Sequence, residues 1–436
     1  MNLTGKHIAI LGVGRSGRAA AALALREGAR VSAWDAADAA AFDGMPVGVE
    51  IHPNATEAEG HELVADLVVV SPGIDTFGSY VAAFSQHAGE VIGEVEFASR
   101  FYQGQIVGIT GTNGKTTTTE LIERILSHAA LGGTACGNYG VPFAEVVLQA
   151  NPPATVALEL SSFQLETIRT LRPVVAVWLN FAPDHMDRYP SIDAYRAAKL
   201  RIFENQTSAD VAVVRCGEEL PRLAARVVTF STTNRAADWY SEGHVILHGG
   251  EVCLDMDHDT SLRGLHNAEN AMAAFGACQA LGVSLLMMRE ALSGYAPPPH
   301  RCELIRTLDG VEYLNDSKAT NLHALESALR SQTRPVILIA GGKEKGLDYG
   351  PLVPLLVEKA KAVVTFGQIA RPLADLFSQV VHCEAVMDLS AAVATARSLA
   401  PRGSTVLLSP GTSSFDQFTG YEQRGNAFRD LVHQLR

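Results

Sequence analysis

The chain has 436 residues and a mass of 46.5 kDa, which at roughly 100–200 residues per domain suggests about three domains. With 47% hydrophobic residues, 19% charged residues and a mean hydropathy of +0.10, it has the composition of a folded protein and not of a disordered chain. Against 47 acidic residues stand 35 basic ones, a net charge of -12, which argues against a non-specific binder of nucleic acid or anionic membrane yet leaves room for a local phosphate cradle.

Short runs rich in Val and Ile alternate with Ala/Leu-rich stretches from one end to the other, the βαβ rhythm of parallel sheets covered by helices. Strands are expected at 7–11, 30–34, 66–70, 106–110, 156–160, 174–179, 211–215, 336–340, 363–366 and 405–408. The Asp309-Gly310 pair between two extended runs reads as a hairpin turn. Breaks fall near 100–104 and at Ala296-Pro297-Pro298-Pro299, a stiff linker. They divide the chain into three α/β domains, 1–98, 99–297 and 298–436. The six cysteines form no C-x-x-C pair and no metal-type cluster, so free thiols in a reducing compartment are expected. With no signal-like segment and no apolar run near 18 residues, a cytoplasmic protein without a membrane partner is expected.

The first loop with chemical content is Gly12-Val13-Gly14-Arg15-Ser16-Gly17, directly after strand one, with Asp35 at the end of strand two. This spacing is that of a dinucleotide fingerprint: glycines for a tight turn, a helix N-terminus for a diphosphate, an acid for a ribose. It suggests a nicotinamide-dependent oxidoreductase, or a bare strand-to-helix turn. Gly73, in Ser71-Pro72-Gly73, closes the third expected strand at the same sheet edge.

A second loop, Gly108-Ile109-Thr110-Gly111-Thr112-Asn113-Gly114-Lys115-Thr116-Thr117, leads from a strand into a helix. Backbone N–H groups there can wrap phosphates, Lys115 can reach the β- and γ-phosphates, and Thr116 can hold Mg²⁺. It is a shortened G-x-x-G-K-T form, because Ile109 stands where the usual first glycine belongs. Glu159, ending an apolar strand, is placed to hold the nucleotide's Mg²⁺. His185 follows another strand in Asn180-Phe181-Ala182-Pro183-Asp184-His185-Met186-Asp187. Lys199 interrupts the apolar seam of Ile192, Tyr195 and Ile202, where a bare ammonium is costly. It must snorkel, pair, lose its charge, or become an anionic carbamate.

Further on, Asn267 in His266-Asn267-Ala268-Glu269-Asn270 reads as a helix cap. His300-Arg301, the polar run Asn315-Asp316-Ser317-Lys318-Ala319-Thr320-Asn321, the loop Gly341–345, and Ser409-Pro410-Gly411-Thr412-Ser413-Ser414-Phe415 all follow strands or the linker. Ligands gather at the C-terminal ends of strands in open α/β sheets, so the last three loops are expected to line one site.

In this order the motifs resemble the Mur ligase family, ATP-dependent amide-forming enzymes of peptidoglycan precursor assembly, over essentially the whole chain. The runs 315–321, 414–418 and 422–428 resemble its D-glutamate-adding branch. The resemblance implies a Rossmann-like N-terminal domain, a central P-loop-type ATPase domain and a C-terminal Rossmann-like domain. It implies that Arg15, Ser16, Gly17, Asp35, Gly73 and Asn138 bind the uridine-diphosphate substrate, UDP-N-acetylmuramoyl-L-alanine. ATP would be held by Gly111, Thr112, Asn113, Gly114, Lys115, Thr116 and Thr117, with Asn270, Arg301 and Asp316 on the adenosine side. Two Mg²⁺ ions would be held by Thr116, Glu159, His185 and Lys199 carbamylated from CO2, and D-glutamate by Lys318, Thr320, Lys345, Ser414 and Phe415. The implied catalytic set is Lys115, Glu159, His185 and Lys199, and a monomer is expected. Within the superfamily the rival is a folylpolyglutamate synthetase, which lacks the first domain. Gly411-Thr412-Ser413 departs from the family pattern beside the expected acceptor pocket.

Overall fold

The computed structural model describes residues 1–186, 188–296 and 298–436. Asp187 of the His185 motif and Pro297 of the linker lie outside the described residues. Three sheets carry the chain. The first has the order Glu50–Pro53, Arg30–Asp35, His7–Leu11, Leu67–Val70, Val91–Gly93, and every pairing is parallel. Its central strands read IAIL and VVV because helices cover both faces, and those residues are fully or nearly fully buried.

The second sheet has nine strands, ordered from Glu251–Asp255 through Val245–His248, Trp239–Glu242, Arg226–Ser231, Val211–Arg215, Val175–Trp178, Gln105–Thr110 and Thr155–Glu159 to Thr134–Gly137. Gln105–Thr110 is flanked on one side by Thr155–Glu159 and on the other by Val175–Trp178, both parallel to it. The strand order reverses there, which puts the second glycine loop at the switch point of the sheet, where ligands bind.

The third sheet is ordered Glu303–Leu308, Val311–Asn315, Thr405–Leu408, Val336–Gly341, Ala360–Phe366, His382–Ala385. Only its first pair is antiparallel. Asp309 (φ 53°) and Gly310 (φ 80°) form the two-residue turn of that hairpin, both in the left-handed region that such turns need. Because 311–315, 405–408 and 336–341 are neighbours, their C-terminal loops emerge side by side.

The chain forms two compact units: one of 1–242, 246–254 and 269–293, the other of 243–245, 255–268 and 294–436. The first sheet and most of the second share a unit. Its core runs without a break from Ile8, Leu23 and Phe97 to Phe143, Leu158 and Trp178. The expected division at residue 98 falls inside a helix, Glu94–Ser99. The wholly buried Glu96 carboxylate accepts from the backbone N–H groups of Arg169, Thr170 and Leu171 at 2.8–3.1 Å and from Arg100 Nε at 2.9 Å. Such a carboxylate joins the two halves and is held ionised by those donors. Among the described residues, no helix is long and apolar enough to cross a membrane.

Candidate functional site

In the first sheet, the loop after His7–Leu11 enters the helix Arg15–Arg26, whose N-terminus carries no side-chain cap. A Cβ on Gly17 would lie 1.8 Å from the Gly12 carbonyl oxygen, so only glycine lets this helix close on the turn. Asp35 accepts from the backbone of Val13 at 3.0 Å and of Ala37 at 2.9 Å, which fixes it beside the loop. Arg15 is exposed and its guanidinium lies 3.5 Å from the Gly140 oxygen, next to the segment that carries Asn138. Gly73 faces open space at the same edge. Arg188 links this edge to the second sheet. It lies 3.9 Å over the Phe163 ring and donates to Ile74 O at 3.2 Å, Pro72 O at 3.4 Å and Glu166 at 3.2 Å.

The second glycine loop opens the helix Lys115–His128 with Gly114 at φ 84° and no side-chain cap. It is latched across 67–70 residues to the segment after Val175–Trp178. Asn113 N donates to Asn180 Oδ1 at 2.9 Å, and Asn180 Nδ2 donates to Asn113 O at 3.1 Å. Thr112 Oγ1 donates to Ala182 O at 3.1 Å and accepts from Ala182 N at 3.0 Å. Lys115 Nζ turns back onto the loop, 2.9 Å from both Gly111 O and Thr112 O. Asn270 Oδ1 accepts from Thr118 Oγ1 at 3.3 Å, placing Asn270 beside the first turn of this helix.

Lys199, 1% exposed, donates from Nζ to Gly111 O at 2.8 Å and faces the Tyr195 ring at 4.9 Å. Burial holds its ammonium well below the usual lysine range, and the neighbouring charge of Lys115 adds to that. Of the four seam residues, Tyr195, Lys199 and Ile202 are buried, while Ile192 at the helix start is 38% exposed. Glu159 is 2% exposed; its Oε1 accepts from Asn138 Nδ2 at 2.6 Å, and its buried Oε2 has no hydrogen-bond partner among the described residues. That oxygen is the kind of orphan a cation satisfies. His185 has a left-handed backbone (φ 56°) and its ring lies 5.0 Å from Phe163 and 6.0 Å from Tyr195.

In the other unit the three expected loops do converge. Gly411 N donates to Ala319 O at 3.0 Å, Lys343 N to Ser413 O at 2.9 Å, and Lys345 Nζ to Thr320 O at 3.4 Å. Ser414 is buried, whereas Phe415 is 64% exposed. Gly411 has φ 71°, and a Cβ there would lie 2.7 Å from Leu325 Cδ1, so the glycine that departs from the expected pattern suits its turn. The Asp316 carboxyl, beside Arg301, is pushed up to about 7 by burial and is held by Ser409 Oγ at 2.9 Å and Cys302 N at 3.2 Å. Asn267 does not cap the helix Leu265–Ala280: it lies within the first turn, and its Nδ2 donates to Arg263 O at 2.8 Å.

Sequence reasoning missed three residues with evident work. Asn180 and Tyr195 stood in quoted motifs without a role. Tyr421, in the last helix, presents its ring 4.0 Å from Lys318 Nζ; no spacing links residues so far apart in the chain.

The chain is similar to known proteins along its whole length. Residues 109–278 match the family model of the Mur ligase middle domain, and 300–411 that of the Mur ligase glutamate ligase domain. The chain is 42% identical to the UDP-N-acetylmuramoylalanine–D-glutamate ligase of Myxococcus xanthus, with 99% of each chain covered. It is 39% identical to the enzyme of the same name from Geobacter metallireducens, covering 100% of this chain and 99% of that one. In fold it is similar to a MurF ligase from Thermotoga maritima solved in complex with ADP, with a TM-score of 0.60, 16% identity, and coverage of 99% of this chain and 96% of that one.

Proposed function

This chain belongs to the Mur ligase family and is an ATP-dependent ligase that joins D-glutamate to UDP-N-acetylmuramoylalanine in peptidoglycan synthesis; we propose that its residues divide the work as follows. The hydride-transfer reading of the first glycine loop gives way to the full-length ligase relatives, and Arg15, Ser16, Gly17, Asp35, Gly73 and Asn138 are assigned to the uridine-diphosphate substrate. The uncapped N-terminus of the helix Arg15–Arg26 supports that assignment, since its free N–H groups suit a diphosphate.

ATP is assigned to residues 111–117, with Asn270, Arg301 and Asp316 toward the adenosine. Lys115 leaves the Gly111 and Thr112 carbonyls to meet the terminal phosphates, and the latched loop keeps its N–H groups aimed meanwhile. Glu159, Thr116, His185 and Lys199 suit Mg²⁺, and the orphan Oε2 of Glu159 is the observation that fits it. Bound there, Mg²⁺ would neutralise charge on the transferring phosphoryl group. Lys199 is proposed to act as its carbamate: the neutral amine adds to CO2, forms an N–C bond and releases a proton. Its lowered proton affinity keeps the amine available for this.

The substrate carboxylate would take the γ-phosphoryl group to give an acyl phosphate, and the D-glutamate amine would displace phosphate from it. Lys318, Thr320, Lys345, Ser414 and Phe415 are assigned to D-glutamate. The observation that carries this reading is the burial of Lys199 against the Gly111 carbonyl. Phosphate release with ATP, Mg²⁺, bicarbonate and UDP-N-acetylmuramoyl-L-alanine tests it. Release that depends on D-glutamate and not on L-glutamate is expected; release with neither would overturn the acceptor.

A further inference from the structure

Arg424 is among the largest wholly buried side chains, with none of its surface exposed, on the helix Tyr421–Gln434. Its four hydrogen bonds go to uncharged oxygens: Nε to Ser317 Oγ at 3.0 Å, Nη2 to Ser317 O at 2.9 Å, and Nη1 and Nη2 to Thr412 O at 3.2 Å. A buried charge adds little to stability compared with an apolar side chain of the same size. What a guanidinium offers instead is a rigid fork that fixes several acceptors in one plane.

Those acceptors lie on two loops that the sheet order places side by side. Ser317 immediately precedes Lys318, and Thr412 stands two residues before Ser414. The third loop is tied to the second, because Thr412 Oγ1 donates to Lys343 O at 2.6 Å and Lys343 N donates to Ser413 O at 2.9 Å. Ser317 Oγ in turn donates to Tyr421 O at 2.8 Å, one helical turn before Arg424, and Tyr421 carries the ring that faces Lys318.

We propose that Arg424 is a positioning residue for the amino-acid acceptor, its fork fastening the loops of Lys318, Thr320, Lys345 and Ser414 into one receiving surface. This rests on the reading of those residues as the D-glutamate site. Arg424→Lys keeps the charge but offers one compact donor group in place of the fork. Its KM for D-glutamate is expected to rise about tenfold, the size of a lost charge-assisted bond, while KM for the uridine-diphosphate substrate stays put. In Arg424→Ala, free guanidinium ion is expected to lower the raised KM for D-glutamate, and to leave the unaltered enzyme unaffected. A merely structural role would shift both KM values together and show no such rescue. A wild-type KM for D-glutamate in Arg424→Lys, or an equal rise for both substrates, would overturn the proposal. If the unaltered enzyme releases no phosphate with D-glutamate, the acceptor reading fails instead.

Discussion

Lys115 and Lys199 donate to the same acceptor, the carbonyl oxygen of Gly111, at 2.9 and 2.8 Å. Two ammonium groups on one oxygen repel each other, and the buried one gives way: Lys199 holds its proton weakly, through burial first and Lys115 second. The second glycine loop and the carbamylation candidate are therefore a single electrostatic unit.

Lys199→Ala is expected to lower turnover by two or more orders of magnitude, the usual scale for losing a preorganised charge in a reaction site. A short carboxylic acid, filling the space of the carbamate, should restore part of it. Steady-state phosphate release with and without added acid checks this; unchanged turnover in the variant would remove Lys199 from the mechanism.

Asn180→Ala removes both bonds to the Asn113 backbone and takes the Asn180 partner away from a half-buried loop amide. A loss of about 1–3 kcal/mol in stability is expected, with a several-fold higher KM for ATP because the loop is less well aimed. Urea melts and ATP titrations of the rate measure the two effects separately.

Glu159→Gln keeps the shape and removes the charge. The Mg²⁺ concentration for half-maximal activity should rise about tenfold or more, since hard cations need anionic oxygen. The melting temperature should hold or rise, because a buried carboxylate is exchanged for a neutral amide. An unaltered Mg²⁺ dependence would show that Glu159 holds no metal.

Glu94, wholly buried, is pushed up to about 7 by desolvation, against backbone donors at Ala144 and Phe143. Between the ordinary glutamate value and 7 the unfolded chain has released this proton while the folded chain keeps it. Stability therefore falls as pH rises through that window and levels off above it. Glu94→Gln should abolish this component, on the order of 3 kcal/mol for a shift of this size. Denaturant melts of both proteins at pH 5 and pH 8 give the comparison.

Much of the fold was legible because parallel strands buried on both faces read as unbroken apolar runs; all ten expected strands formed, three with the expected boundaries and the rest shifted by one to three residues at an end. The strands missed were of another kind. Arg226–Ser231 and Trp239–Glu242 mix polar with apolar residues, and Val91–Gly93 is only three residues long. In the site, the glycine loops and Lys199 announced themselves through local spacing or through a charge on an apolar seam. Asn180 acts on a residue 67 positions away, Tyr421 on one 103 away, and Arg424 joins Thr412, 12 positions away, to Ser317, 107 away. Only the sheet order brings the distant partners together, so no window of sequence contains those contacts.

The glycine that starts the helix Lys115–His128 has a consequence for a residue far along the chain. A Cβ on Gly114 would stand 2.3 Å from Asn270 Oδ1. The empty place on that glycine is thus occupied by a side chain 156 positions downstream. A methyl group added at 114 would have to displace Asn270 and with it the acceptor of the Thr118 hydroxyl. Glycine at 114 and asparagine at 270 are fitted to each other's shape.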